Sequence, residues 1–329
     1  MKTLLNPFAR IGPIMCVVAI VSGCQSDPLH IPNQPDRTPV VWKRFDRAFF
    51  ESDSTRMGVE LDRLRPDFGP FLEQGDLGFW RRQRKDSLMN ALSSATQALE
   101  TQWSKSEASV DEVLRHYAYY YPKSKDWTVY SYVSPLDYDF PLFTADSLVF
   151  IALDQYLGPT SPFYRGLPAY LARQKHPERI ALDLALSLAM LHNTRDPRHA
   201  DLLARMVYEG KALWFAHALS PDLSEAELLG YTPEQWQFCI ENEAEIWRYL
   251  VEERALYSSE PDWTRRLIDP APFSKFYLSF DAQTPGQMGR WVGYRMVSRL
   301  MERKGAPGLG VLMADDDSRQ LLKKANYRP

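Results

Sequence analysis

The residues with the most chemistry in this sequence are acids placed where helical periodicity calls for apolar side chains. In Met206-Val207-Tyr208-Glu209-Gly210-Lys211-Ala212-Leu213, a turn of about 100° per residue puts Leu202, Met206, Glu209 and Leu213 on one face. A carboxylate inside an apolar stripe must gain a partner, change its pKa or bind a ligand. Gly210 beside it leaves room for a second backbone to come close. The same arithmetic puts Glu243 in the stripe of Trp236, Cys239, Ile240, Trp247 and Leu250, on a helix expected from about Pro233 to Tyr257. A further helix, expected from about Pro285 to Lys304, brings Arg290, Arg295 and Arg299 together with Gly289 and Gly293. A bidentate guanidinium is the common answer to a buried carboxylate. Two readings stay open for Asp183, Glu209, Glu243, Arg290 and Arg295: a buried structural polar network, or a site that binds or transforms a ligand.

Metal hydrolysis is the sharpest form of the second reading. Glu209-Gly210-Lys211-Ala212 has the form of the segment that supplies the third zinc ligand in zincin peptidases. That chemistry also needs His-Glu-x-x-His upstream, two imidazoles one helical turn apart with a base between them. The six histidines are His30, His116, His176, His192, His199 and His217, and no two have that spacing. A helix expected from Glu178 to Leu191 has the right place in the order, but reads Asp183-Leu184-Ala185-Leu186-Ser187. Both imidazoles and the catalytic acid are absent there, so zinc hydrolysis is not expected. The metal reading that survives is a hard cation on the oxygens of Asp183, Glu209 and Glu243. No Walker loop, Gly-x-Ser-x-Gly elbow or Cys-x-x-Cys pair occurs, and no cofactor is expected. Asp315-Asp316-Asp317 suits the start of a solvated helix.

The elements that must position these residues are mostly helical. Trp42, Phe45, Phe49 and Phe50 fall on one helical face, and Trp80–Trp103 and Val110–Tyr121 read as helices, the latter stopped by Pro122. Trp127–Val133 and Leu148–Leu153 read as two strands, with Pro135–Asp146 a loop crossing the surface. From Tyr170 onward the pattern is helical between Gly/Pro breaks. The expected class is mainly α with a small β-sheet (α+β), a single domain over residues 41–329. Charged residues at 25% and a formal charge of −3, without a basic block, exclude a nucleic-acid partner. An aromatic supply of 17 Tyr, 16 Phe and 9 Trp suits packed helices or a binding surface.

The N-terminus carries a covalent signal. Lys2 and Arg10 precede the apolar run Ile11–Val21, too short to span a bilayer but shaped like a signal-peptide core. It ends in Val21-Ser22-Gly23-Cys24, which resembles a bacterial lipobox, so residues 1–23 are expected to be removed and Cys24 to be acylated. Gln25 after the cysteine favours the outer membrane. Residues 24–40, with Pro28, Pro32, Pro35 and Pro39, read as an extended tether. Cys239 is then left without a cysteine to pair with, and its apolar neighbours suit a buried thiol.

Taken in order, several segments resemble the gliding-motility lipoprotein GldB family of Bacteroidota. They are Arg44-Phe45-Asp46 with Phe49-Phe50, Phe150 to Gly158, Met206 to Phe215, Gly230-Tyr231-Thr232 leading to Asn242-Glu243 and Ile246-Trp247, Pro270 to Leu278, and Thr284 to Gly293. The resemblance implies a lipid-anchored envelope protein, attached to the membrane through Cys24, that works with other gliding and type IX secretion proteins. It also implies distant kinship to zincin-type peptidases, with a degenerate zincin-like helical core that keeps only Glu209-Gly210. A noncatalytic accessory protein acting by protein contacts is the first expectation. The alternatives are a residual metal-dependent hydrolase, or a periplasmic binder of a peptide or cell-wall fragment using Trp214, Trp247 and Trp291.

Overall fold

One sheet separates two hydrophobic cores. In the computed structural model, which describes residues 28–31, 39–40, 42–73, 75–278 and 280–329, the strands are β1 (Trp42–Arg44), β2 (Thr128–Tyr132), β3 (Leu142–Ala145) and β4 (Leu148–Ala152). Their order is β1-β2-β4-β3, parallel across the first three, with β3 antiparallel to β4 at the edge. Strand alternation sends Val129, Val149 and Ile151 to the larger core and Tyr130 and Phe150 to the smaller one. The signal segment, Cys24 and most of the tether lie outside the described residues. Among the described residues, no helix is long and apolar enough to cross a membrane.

The smaller core is built by α1 (Phe45–Phe50), α2 (Met57–Leu72), α3 (Leu77–Lys85) and α4 (Ser87–Gln97). Its centre is aromatic, with Phe45 stacked on Phe71 at 4.5 Å between ring centroids and set edge-on to Trp80. Pro66 and Pro70 lie inside α2, and its backbone leaves helical geometry at Phe68 (φ −123°, ψ 27°), the kink expected where proline removes a donor.

The larger core begins with α5 (Glu100–Tyr120), α7 (Arg179–Met190) and α8 (Leu202–Leu219), while the short α6 (Ala169–Ala172) between α5 and α7 contributes no buried residue. Every residue of α8 from Gly210 to Leu219 is buried, so this is a central helix rather than one with a single inward face. Asp201 caps it, accepting from the Ala204 N–H at 2.9 Å. Around it come α9 (Glu225–Leu229), α10 (Pro233–Glu241), α11 (Glu243–Glu252), α12 (Pro261–Leu267), α13 (Met288–Met301), α14 (Leu309–Ala314) and α15 (Ser318–Ala325).

Mainly α with a small sheet is what the chain forms, but five details depart from the sequence reading. The helix expected over Trp80–Trp103 is divided among α3, α4 and the first turn of α5, and α5 runs on without the turn expected before Val110, because Asp86 caps α4 and Leu99 starts a helix that packing keeps continuous. β1 was expected to be helix; three residues carry no period, and pairing with β2 decides them. β3 lies in the expected surface loop, joined to β4 through Asp146 and Ser147 at positive φ (49° and 74°), a tight turn without the usual Asn-Gly signature. Trp42 belongs to the larger core, apart from Phe45, Phe49 and Phe50. The helix expected from Pro233 to Tyr257 breaks at Asn242, whose side-chain amide donates to the Phe238 carbonyl at 2.8 Å.

Candidate functional site

The α8–α13 crossing is where two backbones meet. A Cβ on Gly210 would lie 2.2 Å from the Gly293 carbonyl carbon, and one on Gly293 would lie 1.8 Å from the Met206 carbonyl oxygen. Only paired glycines permit that approach. Beside it, Arg290 Nε donates to Glu209 Oε2 at 3.0 Å. The two side chains keep 17% and 29% of their accessibility, so Glu209 lies at the margin of the crossing and not deep in the apolar stripe. Its flexible stem lets the carboxylate reach outward along α13.

Glu243 stands apart from that pair. It opens α11 and accepts from Arg295 Nε at 3.0 Å, from Arg295 Nη2 at 3.4 Å and from the Tyr327 hydroxyl at 2.8 Å. Arg295 also lies 3.7 Å from Glu225, which accepts from the Tyr294 hydroxyl at 3.4 Å. That hydroxyl is 2.7 Å from His217 Nδ1. Burial pushes the Glu225 carboxyl above its usual range, with Arg295 pulling it back. Arg290 and Arg295 are five residues apart, about 140° round the helix, which separates their acids. Arg299 is exposed.

Asp183 forms a third group on α7. It accepts from Arg179 Nε at 2.8 Å and from the Tyr156 hydroxyl at 2.9 Å; burial, reinforced by the Asp183 charge, raises the Tyr156 pKa well above normal. One turn on, the Ser187 hydroxyl lies 3.0 Å from Thr144 Oγ1 on β3. His192 stacks on Tyr121 at 4.0 Å and meets the Tyr117 hydroxyl at 2.9 Å. The five residues expected in one network are thus three separate groups, because helix rotation and the Asn242 break point them different ways. Among the described residues, no cluster of three or more His, Cys, Asp or Glu side chains is arranged to hold a metal ion.

Two further residues went unnoticed in the sequence. Lys211 is buried, and its ammonium donates to the carbonyls of Thr194 at 2.8 Å, Met313 at 3.2 Å and Asp315 at 2.6 Å. Burial pulls its pKa down to about 8. The available signal was a lone charge in the run Gly210–Phe215. Asp154 is fully buried and accepts from the Ser134 N–H at 2.8 Å, the Ser134 hydroxyl at 3.0 Å and the Leu136 N–H at 2.7 Å. Burial raises its pKa against those bonds. It pins the turn after β2 at the rim of a cavity of about 760 Å³ in the aromatic core.

That cavity lies away from the tryptophans expected to line a cleft. Trp214 and Trp291 are buried in the larger core, and Trp247 packs edge-on to Tyr327 at 5.1 Å. Cys239 is buried as expected, its thiol facing Met288 Sδ at 3.8 Å, and burial pushes its pKa up.

The family model for gliding motility protein GldB matches residues 30–329. This chain belongs to the GldB family. No curated protein and no solved structure matches it. The segments that carry the GldB resemblance are places where distant backbones need a side chain or a gap. Asp46 pairs with Arg44 at 2.8 Å and accepts from the Ser131 hydroxyl on β2 at 2.6 Å. Ser274 accepts from the first N–H of α13 at 2.9 Å, while Thr284 donates back to the Ser274 carbonyl at 2.7 Å. Membership places the chain among gliding-motility lipoproteins of the cell envelope.

Proposed function

We propose that this GldB-family chain is a lipid-anchored accessory protein of the gliding and type IX secretion machinery, acting through protein contacts and not through catalysis. The observation that carries the proposal is the family match across residues 30–329. The lipobox ending at Cys24 supports acylation there, and Gln25 supports an outer-membrane, periplasm-facing position. The noncatalytic part is supported by how the acids are used. Asp183 is held by Arg179 and Tyr156, and Glu209 by Arg290, so each carboxylate already has an internal partner. The packing of α7 against the antiparallel edge strand, with α8 beside it, supports reading this core as zincin-like with its histidine positions taken by Asp183 and Ser187.

Deleting the gene and measuring both secreted cargo and colony spreading tests the role. Loss of secretion, restored by wild-type protein and equally by Asp183→Asn and Glu209→Gln variants, is the expected result. Unchanged secretion and spreading in the deletion strain would remove the proposed role. A folded Glu209→Gln protein that fails to restore function would remove its noncatalytic character.

A further inference from the structure

The cavity in the smaller core has features that the family role does not explain. Its walls are mostly aromatic, with Phe45, Phe49, Phe71, Trp80, Tyr132 and Phe150 among them, and its lining includes no Lys, Arg or His among the described residues. At about 760 Å³ it falls within the roughly 300–1,000 Å³ of single small-molecule sites. Its two most buried polar groups have internal partners already: Asp46 is paired with Arg44, and the Ser134 hydroxyl donates to Asp154. The rim is held in place, because Asp154 fixes the backbone at Ser134 and Leu136. Phe140 and Phe143, exposed by 58% and 37%, mark the mouth, near Gln83 and the exposed Asp137.

These walls select among ligands by exclusion. A peptide backbone entering here would strand its N–H and C=O groups, since buried amides require partners. A free carboxylate would meet no basic side chain among the described lining residues, since Arg84, over the Phe50 ring, is engaged by the Phe50 carbonyl and Asn90. An ester-linked hydrocarbon chain meets neither penalty. We propose that the cavity holds one acyl chain of a membrane lipid, with the hydrocarbon among the rings and the ester and head group at the mouth beside Gln83 and Asp137. A protein of the envelope works where such chains are at hand. The chain's own anchor at Cys24 has the same chemistry and is the second source.

The test uses the full mature chain with Cys24→Ser, which carries no acyl group of its own. It is titrated calorimetrically with lysophosphatidylcholines of ten to sixteen carbons, each below its micellar concentration. Saturable one-to-one binding is expected, tightening about three- to fourfold per added methylene until the chain fills the cavity. Phe143→Asp should weaken binding about tenfold or more. Phe140→Asp should do the same with no change in unfolding midpoint, and it keeps the test sound if Phe143→Asp loosens the sheet edge. Absent or chain-length-independent binding, or binding unchanged in both folded variants, would overturn the proposal, as would an apolar peptide that binds where no lysolipid does. Mass spectrometry of acylated protein from native membranes separates the sources. A co-purifying lipid at one per chain supports the membrane source; acylated protein that carries no lipid and takes up none, while the Cys24→Ser chain binds, assigns the cavity to its own anchor.

Discussion

At the scale of single residues, a buried charge is most informative when its partners are counted. The Lys211 ammonium has three N–H donors and three carbonyl acceptors, drawn from the Thr194 loop and the end of α14. Replacing it with methionine leaves those carbonyls short of donors and should lower stability by about 2–4 kcal/mol, measured by denaturant unfolding at neutral pH. Its titration gives a second readout. The folded pKa is about 8, while the free side chain titrates near about 10.4. Between these values the unfolded chain binds a proton that the folded chain has released, so this lysine's contribution to stability rises with pH across the window. The stability difference between wild type and Lys211→Met should therefore widen from pH 8 to 10; a constant difference would show that the ammonium is not held in this way. Glu209 is the opposite case. Its partly exposed pair with Arg290 should make Glu209→Gln cost only about 1 kcal/mol, far below the loss expected of a carboxylate sealed in a core.

At the scale of elements, glycines sort by what lies opposite them. Gly293→Ala would drive a methyl group into the Met206 carbonyl, where neither backbone can yield without separating α8 from α13. A loss of more than about 4 kcal/mol, or no folded protein, is expected. Gly69 in α2 has nothing within 4 Å of its added Cβ. There alanine should stabilise by about 0.5–1 kcal/mol through helix propensity and a narrower unfolded ensemble. Melting curves of the two variants check both signs. The close approach at Gly210 was legible because a glycine beside a stripe acid has few other uses. The failure at Glu243 was equally physical: a wheel drawn through Asn242 assumes a continuous helix, and that residue ends one helix and begins the next.

At the scale of the whole molecule, the sheet keeps two cores apart, and the aromatic one carries the cavity. Membrane attachment, by contrast, rests in the proposed role on a single covalent point, Cys24. Cys24→Ser should move the protein out of the acylated membrane fraction while leaving its unfolding midpoint unchanged. Cell fractionation with a parallel melting curve reads both, and a variant that fractionates like wild type would refute anchoring at Cys24.

The sequence by itself determined what short-range rules write. These are the helical class, the helical stretch around Glu209, the glycine that admits a second backbone, and the family, carried by ordered segments along the chain. Periodicity, capping and covalent motifs act over a few residues and can be read there. The tertiary structure alone decided β1 and β3, the division of one supposed polar network into three groups, the carbonyl cage around Lys211 and the aromatic cavity rimmed by Asp154. Each depends on groups far apart in the chain meeting in space. Asp154 reaches back across twenty residues to Ser134, and Lys211 across more than a hundred to Asp315, separations at which side-chain periodicity holds no information.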